Sequence, residues 1–450
     1  MFSSLTLNRQ YLSQPVDNTP LVLFRVVFGF LVFMEGASFF LLGQISEIYT
    51  EAVVVFTYQG LGWMQPLPGI GMYLVFAFVC VLGIMIMLGW RYRFSAWAFA
   101  LTWTYIYFSH KAHYNNHHYL FMLMAYAMAL MPAADDLSLD AHYHPDKRST
   151  SCPRWCISFF VLQLLIVYTF ASIAKVYPDW LETRPMEIWM KGKSHYWLVG
   201  GVLQYKWVHY VLAYGGIVFD GAIIWLLLIK RTRWVGIALS IAFHLFNSFI
   251  FQIGIFPYLM LGTLFFFFDG ADLRKKLLGR WKLGIALPPK TDLLNNPGYF
   301  LFLGYFLIQL LLPLRHHLFE GNVHWTDEGH KLSWHMMLRT KSGSAVYRVT
   351  NKKTGEVVKV RPSHYLGSLK GRMASSHPDI IWQFAHHLRK EYENKGWEEV
   401  AVFVDCVVSL NGHPSHPLIN PEVDLVSVGW EPFRHSEWIL QWPEELQEIE

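Results

Sequence analysis

The chain has 450 residues, of which 53% are hydrophobic, 17% aromatic and only 16% charged, with a mean hydropathy of +0.26. Soluble domains carry about 25% charged residues, so this balance excludes a disordered chain, a coiled coil and an ordinary cytosolic enzyme; it fits a membrane protein with a soluble part attached. The net charge of +4, with Lys and Arg spread over short loops, speaks against nucleic acid as a partner, and four Cys are too few for a disulfide-built scaffold and define no pairing.

Residues 1–19 are polar and read as a cytoplasmic N-terminal segment. The apolar run after them is too long for a cleavable signal and lacks a small-residue cleavage site. Nine apolar segments of roughly spanning length follow, near 20–42, 70–90, 95–109, 118–132, 156–177, 208–229, 234–252, 254–268 and 299–313. Basic residues follow every second one: Arg91 and Arg93; Lys147, Arg148 and Arg154; Lys230, Arg231 and Arg233; Arg274, Lys275, Lys276, Arg280 and Lys282. The positive-inside rule then puts the N-terminus in the cytoplasm and the tail from residue 314 on the other side.

That tail changes character. Ala345–Val349 and Glu356–Val360 alternate apolar and polar residues around a polar turn, which predicts a β-hairpin. Pro378–Lys395 has apolar residues at helical spacing and ends at Gly396, and Val400–Leu410 reads as a strand. The expected fold is therefore mainly α: a polytopic helical bundle over 20–313 that carries the active site, and a small non-cytoplasmic α+β domain over 314–450.

Ionisable groups inside a bilayer are costly and are functional candidates by default. Lys175 ends the fifth apolar run near its outer end. One reading is a lysine snorkelling to the interface. The other is an amine kept neutral by burial and so able to act as a base. The segment Ser109–Leu120 joins the third and fourth runs on the same side and holds His110, His113, His117 and His118. No carboxylate or Cys lies near them in sequence, which argues against metal. A hydrogen-bonded polar turn and a pair, Asn116 and His117, aimed at a ligand both fit. His244 and Asn247 lie one turn apart on one helix face, ahead of the Gly254–Tyr258 turn. Arg25, Glu35 and Asp220 are available to pair with one another. Lys175, the Asn116–His117 turn and the Gly254–Tyr258 turn all fall at one depth beneath the tail, which suggests a single site between membrane and water.

At these residues the chain resembles the vitamin K-dependent gamma-glutamyl carboxylase family. The matching pieces are Tyr114-Asn115-Asn116-His117, Ile166-Val167-Tyr168 leading to Lys175 and Asp179-Trp180, and His244 through Tyr258, with Asn322–Thr326 and Ser333–Met337 in the tail. Each piece is weak by itself; their order and spacing over residues 20–440 make the set specific. The resemblance implies an enzyme that couples oxidation of vitamin K hydroquinone, or menaquinol, by O2 to CO2 addition at the γ-carbon of glutamate, with no metal or biotin. It implies Lys175 as the base, with Asn116 and His117 as catalytic partners. Asn115, Tyr114, His244 and Phe256 would then lie against the quinone. Trp325, His330, Met336 and Met337 would lie against the glutamate substrate. Implied partners are membrane lipid, a glutamate-containing protein or peptide and a quinone reductase.

Departures from the animal enzymes are His110 where they carry an acidic residue, Pro257 where they have Ser, and an end at Glu450. With no signal peptide, these lead us to expect a bacterial inner-membrane member rather than one of the endoplasmic reticulum. A quinol epoxidase or oxidase without carboxylation, and a non-enzymatic membrane protein of the same fold, are the alternatives.

Overall fold

A computed structural model describes residues 8–50, 54–278 and 296–443. Arg280 and Lys282, both ends of the chain and the start of the N-terminal segment lie outside the described residues.

All nine apolar segments form helices: α1 (Thr19–Leu41), α2 (Gly71–Leu88), α3 (Tyr92–Ser109), α4 (Asn116–Leu130), α5 (Trp155–Ile173), α6 (Lys206–Leu228), α7 (Arg233–Phe251), α8 (Phe256–Gly262, extended by a 3₁₀ turn to Phe267) and α9 (Asn296–Leu314). Local signals set their ends. Pro20 opens α1, Gly89 in the left-handed region (φ 64°) closes α2, and the Asn115 side chain caps α4. The expected count of nine spans is not confirmed. Among the described residues six helices are long and apolar enough to cross a membrane; α3, α4 and α8 are not among them. The α4 helix has 15 residues and α8 with its extension ends after Phe267, both short for a bilayer of about 30 Å. They are instead packed among the longer helices, where most α4 side chains are buried.

The tightest crossing is α1 on α2. A Cβ on Gly29 would lie 2.3 Å from the Met87 backbone nitrogen, and one on Gly83 would lie 2.4 Å from the Phe33 nitrogen. In lipid, where burial gives helices no drive to associate, such backbone approach supplies the packing that holds them together. Gly83→Leu is expected to destabilise the bundle by at least about 1–3 kcal/mol, the cost of overpacking a site that cannot relax. Thermal unfolding in detergent, beside the surface control Leu74→Ala, would show it as a lowered midpoint.

Two short strands, β1 (Pro15–Asp17) and β2 (Ser151–Pro153), pair beneath the bundle and tie the N-terminal segment to the start of α5. Neither was signalled by alternation, since three-residue strands have no room for it.

The outer part holds a four-stranded antiparallel sheet, ordered β4-β3-β5-β6, from β3 (Lys341–Asn351), β4 (Val357–Val360), β5 (Val400–Leu410) and β6 (His416–Pro417). The predicted hairpin is β3–β4. β3 starts earlier and ends later than its alternating stretch because it pairs along its whole length with β5, from Lys341 opposite Leu410 to Asn351 opposite Val400. Helix α11 (Pro378–Asn394) lays Ile381, Phe384 and Leu388 on this sheet, against Tyr347, Val402 and Val404. A further helix, α10 (Pro362–Met373), is broken at Gly367 (φ 75°) and was not foreseen, since Gly and polar residues interrupt its pattern. The chain is thus mainly helical with a small C-terminal sheet.

Candidate active site

A chamber of about 620 Å³ lies in the outer half of the bundle. Its walls are α5, α6 and α7 with the start of α4, and its roof is the outer-domain segment around His330 and His335–Met337. Between α6 and α7 it is lined by residues exposed on the apolar side of the bundle, among them Val211 (59% exposed) and Leu239 (45%). The chamber therefore opens sideways, toward where lipid tails lie. Phe219 of α6 and Phe243 of α7 stack with ring centres 3.8 Å apart.

Of the eleven residues singled out from sequence, ten line this chamber: Tyr114, Asn115, Asn116, His117, Lys175, His244, Phe256, His330, Met336 and Met337. Trp325 does not. Its ring is fully buried in the core of the outer domain, 4.8 Å from Trp442, and its indole N–H donates to the Leu440 carbonyl at 2.8 Å. Its size and apolar body fit it for a core, and sequence alone cannot tell that from a substrate platform.

The turn before α4 is built by local hydrogen bonds. The Asn115 Oδ1 accepts from the His118 backbone N–H at 2.7 Å, and its Nδ2 meets His118 Nδ1 at 3.0 Å. The Asn116 Oδ1 accepts from the Tyr114 hydroxyl at 2.8 Å, and its Nδ2 donates to the His335 carbonyl at 2.8 Å. The Tyr114 hydroxyl in turn accepts from the Leu332 N–H at 2.5 Å. Tyr114 and Asn116 thus clamp the roof onto the bundle. The His117 ring, with His118 at 4.8 Å and Phe256 at 5.9 Å between ring centres, is left facing the chamber.

Lys175 is buried, with 8% of its surface exposed. It sits just past the end of α5, and its Nζ donates to the Ala171 carbonyl at 3.0 Å and to Asp220 Oδ2 at 2.6 Å. The Trp180 ring lies 5.7 Å from the same nitrogen, and the stem runs past Gly216. The lysine does not snorkel to water. Nor is it a solitary amine, because a buried carboxylate from α6 touches it.

The other expected pairings among buried charges are also revised. Glu35 meets His118 Nε2 at 2.8 Å, and Arg25 donates to the Leu137 carbonyl at 2.6 Å. Arg25, Glu35 and Asp220 each take a partner from another segment, which tertiary packing decides and local pattern does not show. Sequence reading quoted Tyr168 within a matching piece but gave it no role; its hydroxyl meets His244 Nε2 at 2.9 Å on the chamber wall. Its place inside an apolar run was the available signal.

In the roof, His330 and His335 meet Nδ1 to Nδ1 at 3.3 Å. Burial lowers both, His330 to about 3, so both rings are neutral near pH 7 and one nitrogen of the pair donates while the other accepts.

The residues fit a flat apolar ring with two oxygens. The lining is mostly aromatic and aliphatic, with a few convergent polar groups, as small-molecule sites are built. His244 Nδ1 is buried with no hydrogen-bond partner among the described residues, an unused polar atom on a chamber-lining residue.

Membrane-crossing helices with a chamber roofed by an outer α+β domain define an integral membrane protein with a non-cytoplasmic C-terminal domain. Residues 13–271 match the HTTM domain family, and residues 294–445 match the lumenal domain of vitamin K-dependent gamma-carboxylase. The chain belongs to the vitamin K-dependent gamma-carboxylase family. No solved structure matches it.

Proposed function

We propose that the protein is a quinol-dependent glutamyl carboxylase of the bacterial inner membrane, N-terminus cytoplasmic, with the bundle over 20–313 holding the site and residues 314–450 covering it. The observation that carries this reading is the gathering of Lys175, His117 and His244 around one mostly apolar chamber that opens sideways and is shut above by the outer domain.

A bound reduced naphthoquinone, vitamin K hydroquinone or menaquinol, supplies on reaction with O2 both the driving force and the strong base, and ends as the 2,3-epoxide. Lys175 accepts the proton that starts this chemistry, from a position the bilayer side can reach. His117 and His244 orient the ring oxygens, and Tyr168 fixes the His244 ring by its hydroxyl. The roof, with His330, Met336 and Met337, meets the glutamate side chain whose γ-carbon loses a proton and gains CO2. Apolar walls exclude water that would quench so strong a base.

The test is purified protein in lipid nanodiscs with reduced vitamin K, labelled bicarbonate and a glutamate-containing peptide. Epoxide and labelled γ-carboxyglutamate are expected together. Epoxide without label, across varied peptides, would leave a quinol epoxidase; turnover of neither would leave a non-enzymatic protein.

A further inference from the structure

Lys175 and Asp220 form the shortest charged contact in the chamber, 2.6 Å, and both side chains are nearly buried (10% and 7% exposed). Among the residues lining the chamber Asp220 is the only carboxylate and Lys175 the only lysine. The other titratable groups lining it are Tyr114, His117, Tyr168, His244, His330 and His335. A lysine paired this way rests as an ammonium, since an opposite charge in contact favours the charged form. An ammonium has no lone pair with which to take a proton. The proposed role of Lys175 therefore needs somewhere to put the proton it already holds.

We infer that the proton acceptor of this chamber is the Lys175–Asp220 pair, with Asp220 as the positioning residue that stores the lysine's proton. This deepens the function proposed above and rests on it for the identity of the proton donor. At rest the pair shares one proton between an amine and a carboxylate. Lys175 passes it to Asp220 Oδ2 along the existing hydrogen bond. The amine then turns about its Cε–Nζ bond, so that the freed lone pair faces the chamber and an N–H faces Asp220, and takes the proton of an O–H group held there: an N–H bond forms, the O–H bond breaks, and the electron pair stays on that oxygen. The pair ends as ammonium and carboxylic acid, two protons and one positive charge, beside the new negative charge. Two of the three ammonium N–H groups are committed, to Ala171 and Asp220, which leaves one position for the chamber.

The test needs no turnover. The intact protein in nanodiscs is treated with phenyl isothiocyanate, which reacts only with free amines, and Lys175 labelling is read by peptide mass spectrometry, with exposed Lys230 as the internal standard. At pH 7.5 wild-type Lys175 is expected to label poorly, and Asp220→Asn to label at least about tenfold more, because the carboxylate in contact with the amine is gone. Asp220→Glu should stay near wild type. Equal labelling in wild type and Asp220→Asn overturns the inference. If Asp220→Asn does not fold, the wild type decides: at pH 7.5 Lys175 must label less than Lys230, and equal or greater labelling sinks the shared-proton state.

The storage step has its own readout. Anaerobic addition of vitamin K hydroquinone to wild type should add the infrared C=O stretch of a protonated carboxyl, absent in Asp220→Asn. Binding, seen as quenching of tryptophan fluorescence, without that band overturns storage by Asp220. Absence of binding strikes the proposed function instead, and the labelling contrast still decides the state of the pair.

Discussion

Lys175→Met is expected to lower epoxide and γ-carboxyglutamate formation together, by at least about a thousandfold. Positioned proton transfer contributes roughly 10²–10⁴-fold, and a thousandfold corresponds to about 4 kcal/mol of barrier. Methionine keeps most of the unbranched stem that packs beside Gly216 and Trp180, so the chamber wall persists while the amine is lost. Asp220 is then buried without its counter-charge, and breaking a buried pair on one side costs about 3–5 kcal/mol unless the carboxyl protonates. The double variant Lys175→Met/Asp220→Asn removes that complication: if it unfolds like wild type and is equally inactive, the loss is chemical. Wild-type epoxide yield in either variant would take Lys175 out of the reaction. Loss of carboxylation with epoxide intact would move it to the second half of the reaction.

Asp379→Asn is expected to loosen the roof. Asp379 on α11 meets Lys111, in the loop before the Asn116–His117 turn, at 3.1 Å and Lys331, beside Leu332 of the roof, at 2.5 Å. One carboxylate thus ties the bundle, the roof and the outer sheet domain. Burial would raise this carboxyl, but the Lys111 and Lys331 ammoniums outweigh it and hold it well below the ordinary range. Burial draws Lys111 down to about 8 even against the pull of Asp379. Without the carboxylate two neighbouring ammoniums face each other, and about 3–5 kcal/mol of stability should go.

The pH dependence follows from the signs. A carboxyl lower in the folded than in the unfolded state stabilises above about pH 4 and loses that contribution as pH falls further. The difference between wild type and Asp379→Asn should therefore be full at pH 7 and shrink below about pH 4. Lys111 is also lower when folded, so its own contribution grows as pH rises from about 8 toward 10.5. Thermal unfolding in detergent at about pH 3, 7 and 10, with hydrogen exchange over residues 110–116 and 330–337, checks both. An unchanged midpoint at pH 7 would make the ion triad incidental.

The helices were legible because each carries its own signal. A run such as Gly71–Leu88 has nowhere to be but a buried or lipid-facing helix, and the strand read at Val400–Leu410 is β5 to the residue. The short cases show where such reading stops. Length and hydropathy do not settle whether α4 crosses a membrane, since its surroundings are protein. The site residues were legible through their cost: a lysine, a His–Asn turn and a His–Asn helix face sit where polar groups are expensive. Their partners were not, because Asp220, Glu35 and Tyr168 find Lys175, His118 and His244 through packing between segments 45, 83 and 76 residues apart. Trp325 failed for the opposite reason: a large aromatic ring has the same sequence signature in a core as in a binding site.

The two hydrogen bonds from Tyr114 and Asn116 to the roof have a consequence for how such a protein can be divided. Neither half owns the chamber: one brings the floor and walls, the other the ceiling, and the fasteners are Tyr114 and Asn116 of the turn before α4. A split between them exposes the interior to water, so on the proposed function gene fusions or truncations that separate the halves are expected to lose activity outright rather than to slow it.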